Sequence, residues 1–213
     1  MFSNIKNFLH IKTKVKKLSN EEKINKLFDS LDREVIIIQI GSDLAVFGDF
    51  ICEIVSKMRD EIKYECGFIL PLVKIVENKY YQENEFTIKI QDKEVEKGFL
   101  IPSKKGVEEE FYDVLKTVIY NYLDKIFTNE LTEKYIDKVQ EKNNLLIWNL
   151  SSILTVIDIR VIMLEIIKSG KSINNISYIF EQIGEEVLLS EKYKSGKEKY
   201  NPHIIADKIS EKL

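Results

Sequence analysis

Residues 35–62 read VIIIQIGSDLAVFGDFICEIVSKMRDEI, and the hydrophobic period changes within them. That change decides the fold. Val35-Ile36-Ile37-Ile38-Gln39-Ile40 is apolar without alternation, the pattern of a strand covered on both faces. Gly41 and Ser42 break it. Phe50, Ile51, Ile54, Val55, Met58 and Ile62 then recur at helical spacing, while Asp49, Glu53, Lys57, Asp60 and Glu61 fall on the opposite side. This predicts an amphipathic helix over 49–65 laid across a sheet, with Gly67 as its C-terminal stop.

Working outward, Phe68 to Val76 reads as a second apolar strand. It is entered through Pro71, which has no N–H for a ladder and so predicts an edge position or a bulge. Glu85-Phe86-Thr87-Ile88-Lys89-Ile90 alternates, and Gln91-Asp92-Lys93 can turn it into a strand from Val95 to Ile101. That is a hairpin with one face on the core. Upstream, Ser19-Asn20-Glu21-Glu22 is a capping box opening a helix to about Leu31 that presents Ile24, Leu27, Phe28 and Leu31. Residues 19–102 therefore read as an α+β subdomain.

From Gly106 the texture becomes helical. Phe111, Val114, Leu115, Val118, Ile119 and Tyr122 form one stripe, and Leu131, Tyr135, Ile136 and Val139 a second. Leu145 to Leu154 and Ile157 to Ile167 follow, with Gly170 as a stop. Ser172 is expected to cap a further helix carrying Ile176, Ile179, Phe180 and Ile183. Residues 103–189 thus read as a helical subdomain. Residues 190–213, with Gly196, Pro202 and many lysines and glutamates, are expected to be a weakly held tail with at most a short terminal helix. The fold class is α+β: a small mixed sheet with a packed helix, followed by an all-helical subdomain.

Residues 1–18 carry Lys6, Lys12, Lys14, Lys16 and Lys17 and no acid, among Phe2, Ile5, Phe8 and Leu9. Two readings stand. One is a basic amphipathic segment making peripheral contact with the inner face of a membrane. The other is an N-terminus whose apolar residues cover part of the body, favoured because the polar face is poorly defined beyond Lys12.

Composition narrows the function classes. Among 213 residues the net charge is −3, so no overall field draws nucleic acid or acidic substrates. No run of 18 apolar residues occurs and the first residues lack a secretory signal, so a cytoplasmic location is expected. Cys52 and Cys66 are too few for a disulfide framework and read as buried thiols. The two histidines, His10 and His203, lie near opposite ends, which leaves no imidazole cluster for a metal and no Ser-His-acid set. Neither GxGxxG nor GxxxxGK[ST] is present. Glu108-Glu109-Glu110 and Glu185-Glu186 read as solvated helix faces, and Tyr80-Tyr81 with Phe86 as packing around strands. The two helices joined across Gly170 are not a DNA reader, since the second carries Glu181, Glu185 and Glu186 and no Lys or Arg before residue 190. No enzyme activity, cofactor, metal or nucleic-acid partner is expected.

Three runs carry a family resemblance. Ile54 to Arg59, Cys66-Gly67-Phe68-Ile69-Leu70-Pro71 and Val73 to Asn78 are followed by Asn84 to Ile90 and by Val95, Gly98, Leu100 and Pro102. Together they resemble the FHIPEP family, the export-gate proteins of flagellar and type III secretion. Ile166-Ile167, Ser172 to Ile176 and Ile179 to Ile183 are similar to the helical part of the same family. The match covers about residues 35–188. Where the family has a hairpin glycine this chain has Asp92, and where it has Arg-Asp this chain has Asn174-Asn175. The resemblance is to the cytoplasmic domain only, without the transmembrane half. The family's inserted docking subdomain shrinks here to Ser103-Lys104-Lys105-Gly106.

What the resemblance implies is a protein-interaction module for protein export with protein partners and weak self-association. Asn174 and Asn175 are the candidate contact residues. The alternative is a stand-alone regulatory or accessory protein that reuses the fold for an unrelated partner.

Overall fold

The computed structural model describes residues 34–46, 48–101, 105–193 and 200–213. Both readings of residues 1–18, and the helix expected at 19–31, lie outside the described residues. Residues 34–213 form one compact unit.

Four strands make one mixed sheet in the order β2-β1-β3-β4. The strands are β1 (Ile36–Ile40), β2 (Val73–Glu77), β3 (Glu85–Ile90) and β4 (Lys93–Phe99). β1 is central, parallel to β2 and antiparallel to β3. Ile36, Ile38 and Ile40 are buried but Ile37 and Gln39 are only half-buried, so the strand is fully covered on one face and partly on the other, not on both as its isoleucines suggested. Ile36, Ile38 and Ile40 stand directly opposite Ile90, Ile88 and Phe86, so six large side chains share one face. β3 and β4 form a hairpin whose two turn residues, Gln91 and Asp92, have φ of 48° and 65°. Both lie in the left-handed region that a two-residue hairpin turn requires, and an Asp tolerates it well enough to stand where glycine is usual.

The helix α1 is a single turn, Ser42–Ala45. The helix predicted at 49–65 is α2, Gly48–Cys66. Its Ile51, Ile54, Val55, Met58 and Ile62 are buried in the same apolar cluster as the sheet. Burying each such side chain contributes about 1.5–3 kcal/mol relative to leaving it in water.

Seven further helices are described. They are α3 (Val107–Asn121), α4 (Leu123–Ile126), α5 (Asn129–Gln140), α6 (Asn144–Ser151), α7 (Val156–Lys168), α8 (Ile176–Tyr193) and α9 (Pro202–Lys212). The first helical stripe meets the sheet through Phe111, whose ring sits edge-on to Phe86 at 5.2 Å and 81°. Thr155 and Asp158 cap α7 reciprocally, each side chain bonding the other residue's backbone N–H.

Four expectations need correction. Residues 67–72 are not strand: Phe68 and Leu70 are buried because the loop is held against the core, and β2 starts only at Val73, after Pro71, on the sheet edge. Cys52 is exposed, since it falls on the polar side of α2, while Cys66 is buried. Ser172 does not cap α8; its hydroxyl accepts from the Asn174 amide at 3.2 Å, and Asn175 is the cap, accepting from the Tyr178 amide at 3.3 Å. The stretch 200–213 is not weakly held, because α9 buries Ile205, Ala206 and Ile209 in the common core.

Glu186 departs from expectation in the same way. It is 4% exposed, not solvated, and its carboxylate accepts from Lys208 and Lys212 of α9, each at 2.8 Å. Burial works to raise its pKa, but the two ammonium groups together outweigh that and hold the carboxyl below its ordinary range.

Candidate interaction site

The two halves of the chain meet at Gly67. Its φ of +74° turns the backbone out of α2, and no side chain could sit there. A Cβ would lie 2.5 Å from the amide nitrogen of Asn174, so the loop and residues 173–174 run backbone against backbone. Ile173 N–H donates to the Cys66 carbonyl at 2.9 Å, and the Asn174 side chain donates to the Tyr64 carbonyl at 3.0 Å. Two carbonyls at the open end of α2 are thereby satisfied by the helical half.

Tyr135 of α5 completes the joint. Its hydroxyl donates to the Gly67 carbonyl at 2.9 Å and accepts from the Ile69 amide at 2.8 Å. Burial pushes this phenol up to about 12. Its ring stacks on Phe127 at 5.8 Å and 13°, and Phe127 in turn meets Phe68 at 5.6 Å. From the other side Arg59 donates to the Leu70 and Pro71 carbonyls at 3.2 and 3.4 Å. The run Arg59…Gly67-Phe68-Ile69-Leu70-Pro71 is therefore a clamped loop.

That clamp holds open a groove of about 310 Å³. Tyr135 and Ile173 form its floor, and Ile69, Leu131 and Ile176 its apolar walls. Ile69 is 46% exposed although its backbone is pinned. Lys63, Lys134 and Lys138 stand around the opening. Lys134 pairs with Glu130 and Lys138 with Glu141, each at 2.6 Å on the exposed surface.

Of the two candidate residues, Asn174 lines this groove and Asn175 sits beside it as the α8 cap. Both are exposed. Sequence reasoning missed Lys63, Ile69, Leu131 and Tyr135 as parts of one surface. No local pattern joined them; Gly67 read only as the stop of the preceding helix.

A second cleft of about 390 Å³ lies between α2 and α3, with Glu53, Glu108, Glu109 and Asp113 among its lining residues. All four carboxylates are exposed. Among the described residues no group of three or more His, Cys, Asp or Glu side chains is arranged to hold a metal ion. His203 is exposed in the first turn of α9. Tyr80, Tyr81 and Phe86 do not converge: Tyr80 is in water, the Tyr81 hydroxyl donates to Gln39 at 2.9 Å, and Phe86 is in the core. Among the described residues no helix is long and apolar enough to cross a membrane.

No protein-family model matches the sequence, and no curated protein does. Solved structures match in fold. CdsV of Chlamydia pneumoniae aligns with a TM-score of 0.67 at 11% identity, over 83% of this chain and 66% of its own. A chain of the Chlamydia pneumoniae CdsV and CdsO complex gives 0.65 at 12%, over 83% and 64%. The nonameric EscV cytosolic domain from the type III secretion system gives 0.63 at 17%, over 83% and 63%. The chain spans slightly less than two thirds of the length of these relatives, and what it has in common with them is the fold, that of type III secretion cytosolic domains.

Proposed function

We propose that this chain is a non-enzymatic protein-interaction module acting in bacterial protein export, in the manner of the cytoplasmic domain of a flagellar or type III export gate of the FHIPEP family. The observation that carries this reading is the joint at Gly67. It fixes a sheet-bearing half against a helical half, in a chain that aligns over more than four fifths of its length with such domains. The apolar groove beside the joint, rimmed by polar and charged groups, has the make-up of a protein-contact surface. A cytoplasmic position, protein partners and weak self-association belong to the same reading, since one relative is a nonamer and another was solved with CdsO.

The test is deletion of the gene in its source organism, with the proteins released to the medium quantified. Loss of a defined set of exported proteins, restored by the intact gene, is the expected result. A second reading is a stand-alone accessory protein that reuses the fold. An identity of only 11–12% to these relatives, with the fold alone in common, favours it. An unchanged set of released proteins would favour that reading and remove the first.

A further inference from the structure

The groove at the joint has a feature that a mere packing defect lacks: the backbone that lines it is held by hydrogen bonds of its own. Ile69 is presented to solvent by a backbone tied at both ends. Its own amide bonds to Tyr135, and the next two carbonyls bond to Arg59. Leu131 and Ile176 come from α5 and α8, which are separately capped by Thr128 and Asn175. Such a preformed apolar slot loses little conformational entropy on binding. Its volume of about 310 Å³ sits at the bottom of the roughly 300–1,000 Å³ range of small-molecule pockets, and it is not closed over. It suits a few anchor side chains and not an enclosed ligand.

Charge sets the chemistry of the occupant. Three lysines stand around the opening, and among the described residues no carboxylate pairs with Lys63. Lys134 and Lys138 are held only by exposed pairs within their own helix or just past its end, which are weak and exchange readily. Resting on the interaction-module reading above, we infer that the groove takes an acidic amphipathic helix from a protein partner. Its apolar stripe seats between Ile69, Leu131 and Ile176, and its flanking carboxylates meet Lys63, Lys134 and Lys138. The mode is a helix laid in a groove, with anchors spaced at i, i+4 and i+7.

Two fluorescent designed helical peptides test this by anisotropy. Both carry the same Leu/Phe stripe at i, i+4 and i+7, one flanked by Glu and its twin by Lys. The Glu peptide is expected to bind the full chain, at least tenfold more tightly than the Lys twin, and to weaken as salt is added. Ile69→Asp should abolish binding. The triple variant Lys63→Glu, Lys134→Glu, Lys138→Glu should weaken the Glu peptide at least tenfold and let the Lys twin bind. All these positions are exposed, and an unchanged thermal transition confirms that each variant folds. Equal binding of the twins, binding indifferent to Ile69→Asp, or no binding of the Glu peptide overturns the inference. So does displacement by an oligothymidylate that responds to the lysine variants alone, which marks a general polyanion surface. Self-association lost in Ile69→Asp would make a second copy the occupant, and overturn it too. Peptide failure with export loss on gene deletion removes this inference and leaves the export reading standing. Peptide binding without any export phenotype does the reverse.

Discussion

Tyr135 and Gly67 lie 68 residues apart in the chain and are joined by a single hydrogen bond of 2.9 Å. The bond ties a helix of the C-terminal half to the first residue after α2. Its worth follows from what is left behind without it: a buried carbonyl, and an Ile69 amide that has lost its acceptor. Tyr135→Phe keeps the stack on Phe127 and removes only the hydroxyl. It is expected to destabilise the fold by about 1–3 kcal/mol, read as a lower urea midpoint with unchanged slope.

Gly67 and Gly170 share nearly the same backbone angle, with φ of 74° and 77°, yet they should differ in tolerance. A side chain at Gly170 meets nothing within 4 Å, so Gly170→Ala costs only the left-handed penalty of about 1–2 kcal/mol. At Gly67 the new Cβ would also press on the backbone of Ile173 and Asn174. Gly67→Ala should therefore cost clearly more, and should widen or collapse the neighbouring groove. Paired denaturation curves separate the two contributions.

Acid should loosen α9. The Glu186 carboxyl is held below its ordinary value of 4.5 in the folded chain. Its contribution is therefore fully present above the unfolded pKa and is lost as pH falls through the lower, folded one. Hydrogen exchange of the α9 amides, corrected for intrinsic rates, should stay slow above the ordinary carboxyl range and lose protection as pH falls below it. Glu186→Gln should remove this dependence and cost on the order of 1 kcal/mol at neutral pH, a screened value because both lysines are substantially exposed.

Asn175→Ala removes the α8 cap and is expected to cost about 1 kcal/mol. Asn174→Ala loses the bond to the Tyr64 carbonyl and should cost about 0.5–1.5 kcal/mol. The chain is expected to be monomeric at micromolar concentration and to associate weakly as concentration rises. Sedimentation velocity of the double variant checks whether these residues serve that contact. Unchanged association, with the stability loss present, confines both to their structural bonds.

Periodicity made the α+β class legible. Five apolar residues of α2 point one way, and four of the five β1 residues are isoleucine. The loop at 67–72 was not legible, because Phe68 and Leu70 look like strand residues and only Arg59 and Tyr135, distant in sequence, make them loop residues. Glu186 was misread for the same reason: its two lysines lie 22 and 26 residues later. The cap was misplaced by three residues because Ser172 and Asn175 have equal capping chemistry, and the course of the backbone alone decides between them. The groove is assembled from three separate segments, and no local pattern announces it.

The central place of β1 has a consequence during synthesis. β1 ends at Ile40, and its antiparallel partner ends at Ile90. A ribosome adding about 5–20 residues per second needs several seconds to make the intervening stretch. For that time Ile36-Ile37-Ile38-Gln39-Ile40, uncharged and free of proline, lacks its antiparallel neighbour, and until Glu77 has been added it lacks both neighbours. Such a segment is the kind that pairs with copies of itself. Yield on overexpression should therefore depend on translation speed through residues 41–90, and on chaperones that cover a nascent apolar strand, more than on the stability of the finished fold.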